Sequence, residues 1–179
     1  MKFDVLIVGA GPAGLCLARI LSGHGLRIGV VEQQAQAALE NPAFDGREIA
    51  LTQRSAQQMR QLGLWSRIEA YEPTAFAPLK DAKVFNGPST FAMVIGRDQS
   101  KTSELGWFVS NHWIRRAAYD CVQDSIARHH DIELICSRKV LRIHQTEQGM
   151  QAELDDGSQL HGRLLVAADS RFSSVRRAM

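Results

Sequence analysis

The stretch Phe3-Asp4-Val5-Leu6-Ile7-Val8-Gly9-Ala10-Gly11-Pro12-Ala13-Gly14-Leu15-Cys16-Leu17-Ala18-Arg19-Ile20-Leu21 decides the fold. Phe3–Val8 is a short apolar run rich in β-branched residues and reads as a buried strand. The glycine-rich turn follows at once. Pro12 suits the first turn of a helix, where no backbone N–H is needed. Leu15, Leu17, Ala18 and Leu21 then recur at helical spacing. Gly23 and Gly25 end that helix, and Leu26–Glu32 reads as the next strand. A strand, a helix and a strand of this kind imply a parallel sheet with a right-handed crossover.

Alone, G-x-G-x-x-G is a weak signal; following a strand and opening a helix, it is a strong one. Gly9 permits the tight turn. Gly11 leaves no side chain between the backbone and a pyrophosphate. Gly14 lets helix and strand pack closely. The helix start offers free N–H groups and partial positive charge to two phosphates. Glu32 closes the second strand, 18 residues after Gly14. A carboxylate there can accept hydrogen bonds from both ribose hydroxyls of an adenosine and would repel a 2′-phosphate. Pro12, Ala13 and Gln33 complete this set of candidate cofactor contacts. The site therefore suits FAD or NAD rather than NADP.

Outward from this unit, Gln33–Arg47 reads as a polar loop. Thr52 caps a helix running to Leu62, with Gly63 as its stop. From Glu72 to Ser110, short apolar runs (Ala82–Phe85, Phe91–Ile95 and Trp107–Val109) alternate with turn residues, which predicts an antiparallel β insertion. Asn111 reads as the cap of a helix with Ile114, Ala117, Ala118, Cys121, Val122 and Ile126 on one face. Ile132–Cys136, Val140–Gln145, Met150–Leu154 and Leu160–Ala168 follow as strands, the last two joined by a hairpin turn at Asp155-Asp156-Gly157-Ser158. The fold class expected is α/β: a Rossmann-like domain with a parallel sheet, an antiparallel β insertion and a β-meander. A long polar loop and a β insertion after the second strand fit FAD proteins better than NAD dehydrogenases. No Cys lies between Glu32 and Val109, which argues against a flavoprotein disulfide reductase.

Composition narrows the partners. The 179 residues hold 21 Lys plus Arg against 19 Asp plus Glu, a formal charge of +2, too weak a field to argue for nucleic acid. Apolar residues make up 45%, enough to bury a real core and exclude disorder as the main reading. Three Cys without CxxC spacing fit reduced thiols and a cytoplasmic protein rather than a disulfide scaffold or zinc site. The first twenty residues mimic a secretion signal, but Asp4 and Pro12 interrupt the pattern. The longest uncharged stretch, Val5 to Ala18, is too short to cross a bilayer. His129-His130-Asp131 reads as a polar helix end, and no metal is expected.

Four segments together resemble the class A flavoprotein monooxygenases, the aromatic hydroxylases, and among them the ubiquinone-biosynthesis hydroxylases. They are VLIVGAGPAGLCLARIL with VVE, then GREIALTQRSAQQMRQLGLW, GWFVSNHWIRRAA and LLVAADSRFSSVRR. The resemblance implies three FAD contacts: the GAGPAG turn with Glu32, then Arg47 near the flavin and its phosphates, then Asp169 toward the ribityl and phosphate groups. Arg115 is a further candidate facing the cofactor. Ser170 stands where the family more often has Gly, which leaves the motif's link to NAD(P)H open. Residues 1–72 correspond to the first part of the FAD-binding domain, 73–110 to a β insertion of a substrate domain, and 111–179 to the continuation of the FAD-binding domain. The family's later Gly-Asp motif has no match, so the chain corresponds to the N-terminal portion of a larger two-domain fold.

The implied activity is hydroxylation of an aromatic ring, a polyprenylated or small quinone precursor, with NAD(P)H as reductant and O₂ as oxygen source. The flavin carries that chemistry, and no residue here is matched to a catalytic acid or base. The substrate class implies peripheral contact with the inner membrane, or a complex with other biosynthetic enzymes. A non-catalytic FAD or ADP-binding remnant and another FAD-dependent oxidoreductase are the alternatives. Arg171, Arg176 and Arg177 form a small basic cluster that reads as a solvated helix face. Trp107, Phe108 and Phe91 could line a substrate wall, with core packing as the default.

Overall fold

The computed structural model describes residues 1–96, 103–170 and 173–178. In chain order the elements are β1 (Lys2–Val8), α1 (Pro12–Leu21), β2 (Ile28–Val31), α2 (Gln36–Glu40), β3 (Glu48–Thr52), α3 (Gln53–Leu62), α4 (Leu64–Tyr71), β4 (Phe76–Leu79), β5 (Asp81–Phe85), β6 (Ala92–Gly96), β7 (Gly106–Ser110), α5 (Asn111–His129), β8 (Ile132–Ile135), β9 (Val140–Thr146), β10 (Gly149–Leu154), β11 (Gln159–Ala167) and α6 (Ser174–Ala178). Contacts divide them into two units, Met1–Ala43 with Arg115–Met179, and Phe44–Ile114. β3, α3 and α4 share a unit with the later strands β4 and β7.

The first unit is built on a six-stranded sheet of order β8-β2-β1-β11-β10-β9. β1 pairs in parallel with β2 (Val5 opposite Ile28, Val8 opposite Val31) and with β11 (Val8 opposite Ala167). β8 extends the parallel set beyond β2, while β9, β10 and β11 form the antiparallel meander. Val5–Val8 of β1 and all of β2 are apolar without alternation, as strands covered on both faces must be. Leu6 and Val8 join Val31, Val140, Ala152, Leu154, Leu160 and Val175 of α6 in one buried cluster. Burial of each of these Leu and Val side chains stabilises by about 1.5–3 kcal/mol. α1 is tied to α5 by Arg19, which donates to Ser125 Oγ at 2.9 Å. Asp131 accepts from Ser22 Oγ at 2.8 Å and from the Gly23 amide at 2.6 Å, fixing the end of α1 to the start of β8. The His129-His130-Asp131 run thus includes a structural anchor.

The second unit holds a three-stranded antiparallel sheet, β3-β7-β4, and a separate β5–β6 pair. Thr52 caps α3 as expected, accepting from the Ser55 amide at 3.2 Å. Gly63 ends α3 with φ +85°. It also opens α4, a helix the sequence reading did not contain. Trp65 on α4 is buried, stacked on Phe76 at 3.8 Å and edge-on to Trp107 at 5.5 Å. The Arg60 guanidinium lies 3.8 Å from the centre of the Trp65 ring. Trp107 is therefore a packing residue of this unit, whereas Phe91 is 80% exposed.

Two readings need correction, and one strand had no reading in the sequence. The Gln33–Arg47 segment is not wholly loop: α2 forms there, held by the buried Leu39. β3 is a strand whose partner, β7, lies more than fifty residues away in sequence (Ala50 opposite Phe108). Asn111, expected as the cap of α5, is its first residue, and its side-chain amide donates to Asp45 at 2.8 Å. Among the described residues no helix is long and apolar enough to cross a membrane.

Candidate cofactor-binding site

The turn from β1 into α1 is shaped by three glycines acting differently. Gly9 has φ +106°, and a Cβ there would lie 2.5 Å from the Ala168 carbonyl oxygen. A Cβ on Gly14 would meet the Gly9 carbonyl oxygen and press the Ala168 side chain at 3.3 Å. Both glycines are demanded by the chain itself, because α1, the turn and the end of β11 approach too closely for a side chain. Gly11 is different. Its φ of −69° is open to any residue, and a Cβ there would meet nothing within 4 Å among the described residues. The packing of the described residues gives no reason for glycine at 11.

Gly11 is also the N-cap of α1. No side chain caps it, no acidic residue lies in the first turn, and Pro12 occupies the first helical position. The first-turn amides of Ala13 and Gly14 precede the first intrahelical bond, from Leu15 N–H to the Gly11 carbonyl at 3.0 Å. Open space above Gly11 and these donors make one anion-receiving corner.

Glu32 follows β2 and is half-buried. Its Oε2 accepts from the Ala10 amide at 2.8 Å, and its Oε1 from the Gln34 amide at 2.8 Å. A carboxylate offers about four lone-pair positions, so each oxygen keeps one for a hydroxyl donor. In the sequence, Glu32 reads only as an acceptor for ribose hydroxyls. The structure adds a second: Glu32 fixes the glycine-rich turn.

Gln34, missed in the sequence, links this acid to Arg115, whose Nη2 donates to Gln34 Oε1 at 3.3 Å. Gln33 is exposed beside it. The β8–β9 loop closes the same side, with the Ser137 and Arg138 amides donating to the carbonyls of Gln34 and Glu32, each at 3.0 Å. Cys136 lies in this loop, its thiol pushed up by burial and then by the Glu32 charge. Cys16, on α1, is also no nucleophile: burial, with Cys121 adding to it, pushes its thiol up to about 11.

β11 delivers Asp169 to this end of the sheet. The Ala168 amide continues the ladder by donating to the Val8 carbonyl at 2.8 Å. Asp169 Oδ2 accepts from the Val175 amide at 3.3 Å, so the residue caps α6. Ser170 has φ +79°, the left-handed conformation that favours glycine. The backbone thus keeps a glycine-type shape where this chain carries serine. Arg176 and Arg177 are exposed on α6, and Arg171 lies outside the described residues.

Gly9 to Gly14, Glu32, Gln33, Arg115 and Asp169 all belong to the first unit. Arg47 belongs to the second, where its Nε and Nη2 donate to Asp45 Oδ2 at 2.8 and 2.6 Å. The Arg47 guanidinium, then the Asn111 amide, hold the Asp45 carboxyl down at about 2. Among the described residues no group of three His, Cys, Asp or Glu side chains is placed to hold a metal ion.

The donor set of the first unit fits an adenine dinucleotide: space and amides for a pyrophosphate above Gly11, and a carboxylate with spare acceptor positions for a ribose. Comparison with known proteins agrees. The FAD binding domain family matches residues 2–179. The ubiquinone hydroxylase UbiM of Neisseria meningitidis serogroup C / serotype 2a is 41% identical over 180 residues, covering 98% of this chain and 38% of that protein. The ubiquinone hydroxylase UbiL of Rhodospirillum rubrum is 27% identical over 175 residues, covering 98% of this chain and 39% of its own. The chain thus spans about two fifths of the length of these relatives. Among solved structures, the anhydrotetracycline hydroxylase OxyS of Streptomyces rimosus shares the fold with a TM-score of 0.74 at 22% identity, covering 99% of this chain and 34% of that one. With a family match along nearly its whole length and a glycine-rich turn shaped for a dinucleotide, this chain belongs to the FAD binding domain family.

Proposed function

We propose that this chain is the cofactor-holding portion of an FAD-dependent monooxygenase that hydroxylates an aromatic quinone precursor, with NAD(P)H as reductant and O₂ as oxygen source. The observation that carries the FAD part is the open space at Gly11. A glycine with an ordinary φ and no neighbour within 4 Å among the described residues is explained by a ligand that comes where a side chain would stand. The substrate class is supported by the likeness to the ubiquinone hydroxylases UbiM and UbiL.

In this reading the amides of Ala13 and Gly14 and the dipole of α1 receive the pyrophosphate. Glu32 accepts from the adenosine ribose while its other lone pairs hold the turn. Arg115, steadied by Gln34, adds positive charge on the same side, with Gln33 at the rim. Asp169 orients the segment after β11 toward the cofactor. Arg47 is proposed as a flavin contact on the strength of the family resemblance. When bound, the flavin supplies the redox chemistry, and the chain's residues bind and orient it.

Two measurements test the reading. The purified chain should take up FAD and show the visible flavin absorption band; failure to retain any flavin would remove the cofactor assignment. The longest form of the protein that can be expressed should oxidise NAD(P)H faster when a phenolic quinone precursor is added. Indifference to every such phenol would point to a different flavin reaction.

A further inference from the structure

We propose that the Ser170 hydroxyl is a hydrogen-bond donor to the pyrophosphate of the bound cofactor. The inference rests on the FAD reading above and goes beyond it, because the family resemblance supplies glycine, not serine, at this position.

Three observations converge on Ser170. Its φ of +79° is a left-handed conformation that is costly for a residue with a Cβ. Strain of this kind persists when something offsets it, and it gathers at binding sites. Second, Ser170 is placed at the glycine-rich corner. β11 runs parallel to β1 with Ala167 opposite Val8, so the two chains leave the sheet side by side. A Cβ on Gly9 would lie only 2.9 Å from the Asp169 amide nitrogen. Ser170 is the next residue. Third, its side chain is exposed rather than committed to the core. The backbone around it is fixed by its neighbours: the Ser173 amide donates to the Ser170 carbonyl at 3.2 Å, and Asp169 accepts from the Val175 amide at 3.3 Å.

The chemistry suits the ligand. A pyrophosphate only accepts hydrogen bonds, and the donors the first unit offers it at α1 are backbone amides. A serine hydroxyl adds a donor that can rotate to meet an oxygen. Glycine would relax the backbone at 170 but could not supply that donor. The left-handed strain and the added hydroxyl are then two sides of one substitution.

The test uses the full chain as apoprotein, titrated with FAD, in three forms: unsubstituted, Ser170→Ala and Ser170→Gly. Both variants should bind FAD about 10- to 100-fold more weakly, the range for a lost hydrogen bond to a charged acceptor. Ser170→Gly should also raise the apoprotein melting temperature by a few degrees, while Ser170→Ala, which keeps the strained Cβ, should not. In phosphorus NMR, the resonances of FAD bound to Ser170→Ala should shift from those in the unsubstituted protein. Unchanged FAD affinity in either variant, or unmoved phosphorus resonances, overturns the proposal while leaving the FAD reading intact. If the unsubstituted chain binds no FAD, the FAD reading itself fails and the proposal falls with it.

Discussion

The backbone amide of Ala10 donates to Glu32 Oε2 at 2.8 Å, joining the turn after β1 to the residue that follows β2. The second oxygen of the same carboxylate takes the Gln34 amide. One side chain therefore shapes the turn and offers the remaining lone pairs to a ligand. Glu32→Ala should show both losses. Leaving two amides without their acceptor should lower the stability of the apoprotein by about 1–3 kcal/mol. FAD affinity should fall as well. Urea unfolding and flavin titration of the same preparation check this; a variant that loses FAD at unchanged stability would show that Glu32 does not hold the turn.

Asp45 and Arg47 make a testable pH element in the second unit. The carboxyl of Asp45 is held at about 2 by the Arg47 guanidinium and then the Asn111 amide. A carboxyl depressed in the folded state stabilises above its unfolded value, near 3.9, and that contribution disappears as pH falls through about 2. Asp45 should accordingly titrate at about 2 in an NMR pH series. In Arg47→Ala it should rise toward the ordinary carboxylate value. A normal titration in the unsubstituted protein would mean that the pair does not persist in solution.

Trp65 anchors the core of the second unit, stacked on Phe76 and covered by Arg60. Trp65→Ala should cost about 3–5 kcal/mol, the range for deleting a buried aromatic ring. Arg60→Ala should cost about 0.5–2 kcal/mol, since its contacts with the Trp65 and Trp107 rings are lost. Thermal unfolding followed by near-ultraviolet circular dichroism measures both. Equal costs for the two variants would argue against this ranking.

The first β-α-β unit was readable in the sequence because all its signals are local: an apolar run, a glycine-rich turn, a proline at the helix start and an acid at the strand end. The cap at Thr52, the buried face of α5 and the turn at Asp155–Ser158 were readable for the same reason. What escaped depended on distant partners or doubled roles. β3 is five residues long and becomes a strand through β7, far along the chain. α4 was hidden because Gly63, read as a stop, both ends one helix and opens the next. Around Glu32 and Arg47, the residues were legible but their partners were not. Glu32 could not be seen to bind Ala10 and Gln34, nor Arg47 to be paired with Asp45, because these bonds depend on loop conformations that no periodicity reports.

Gly11 and Gly14 separate folding from binding most cleanly. A Cβ on Gly14 would collide with the Gly9 carbonyl, whereas one on Gly11 would meet none of the described residues within 4 Å. Gly14→Ala should therefore destabilise the apoprotein itself. Gly11→Val should leave the apoprotein folded, with a loss of about 1 kcal/mol or less for replacing glycine at the N-cap. The deciding measurement is an FAD titration of folded Gly11→Val apoprotein beside the unsubstituted protein. Saturable binding by the unsubstituted chain and none by the variant is the expected result; a variant that binds FAD as tightly as its parent would show that no dinucleotide lies across this turn.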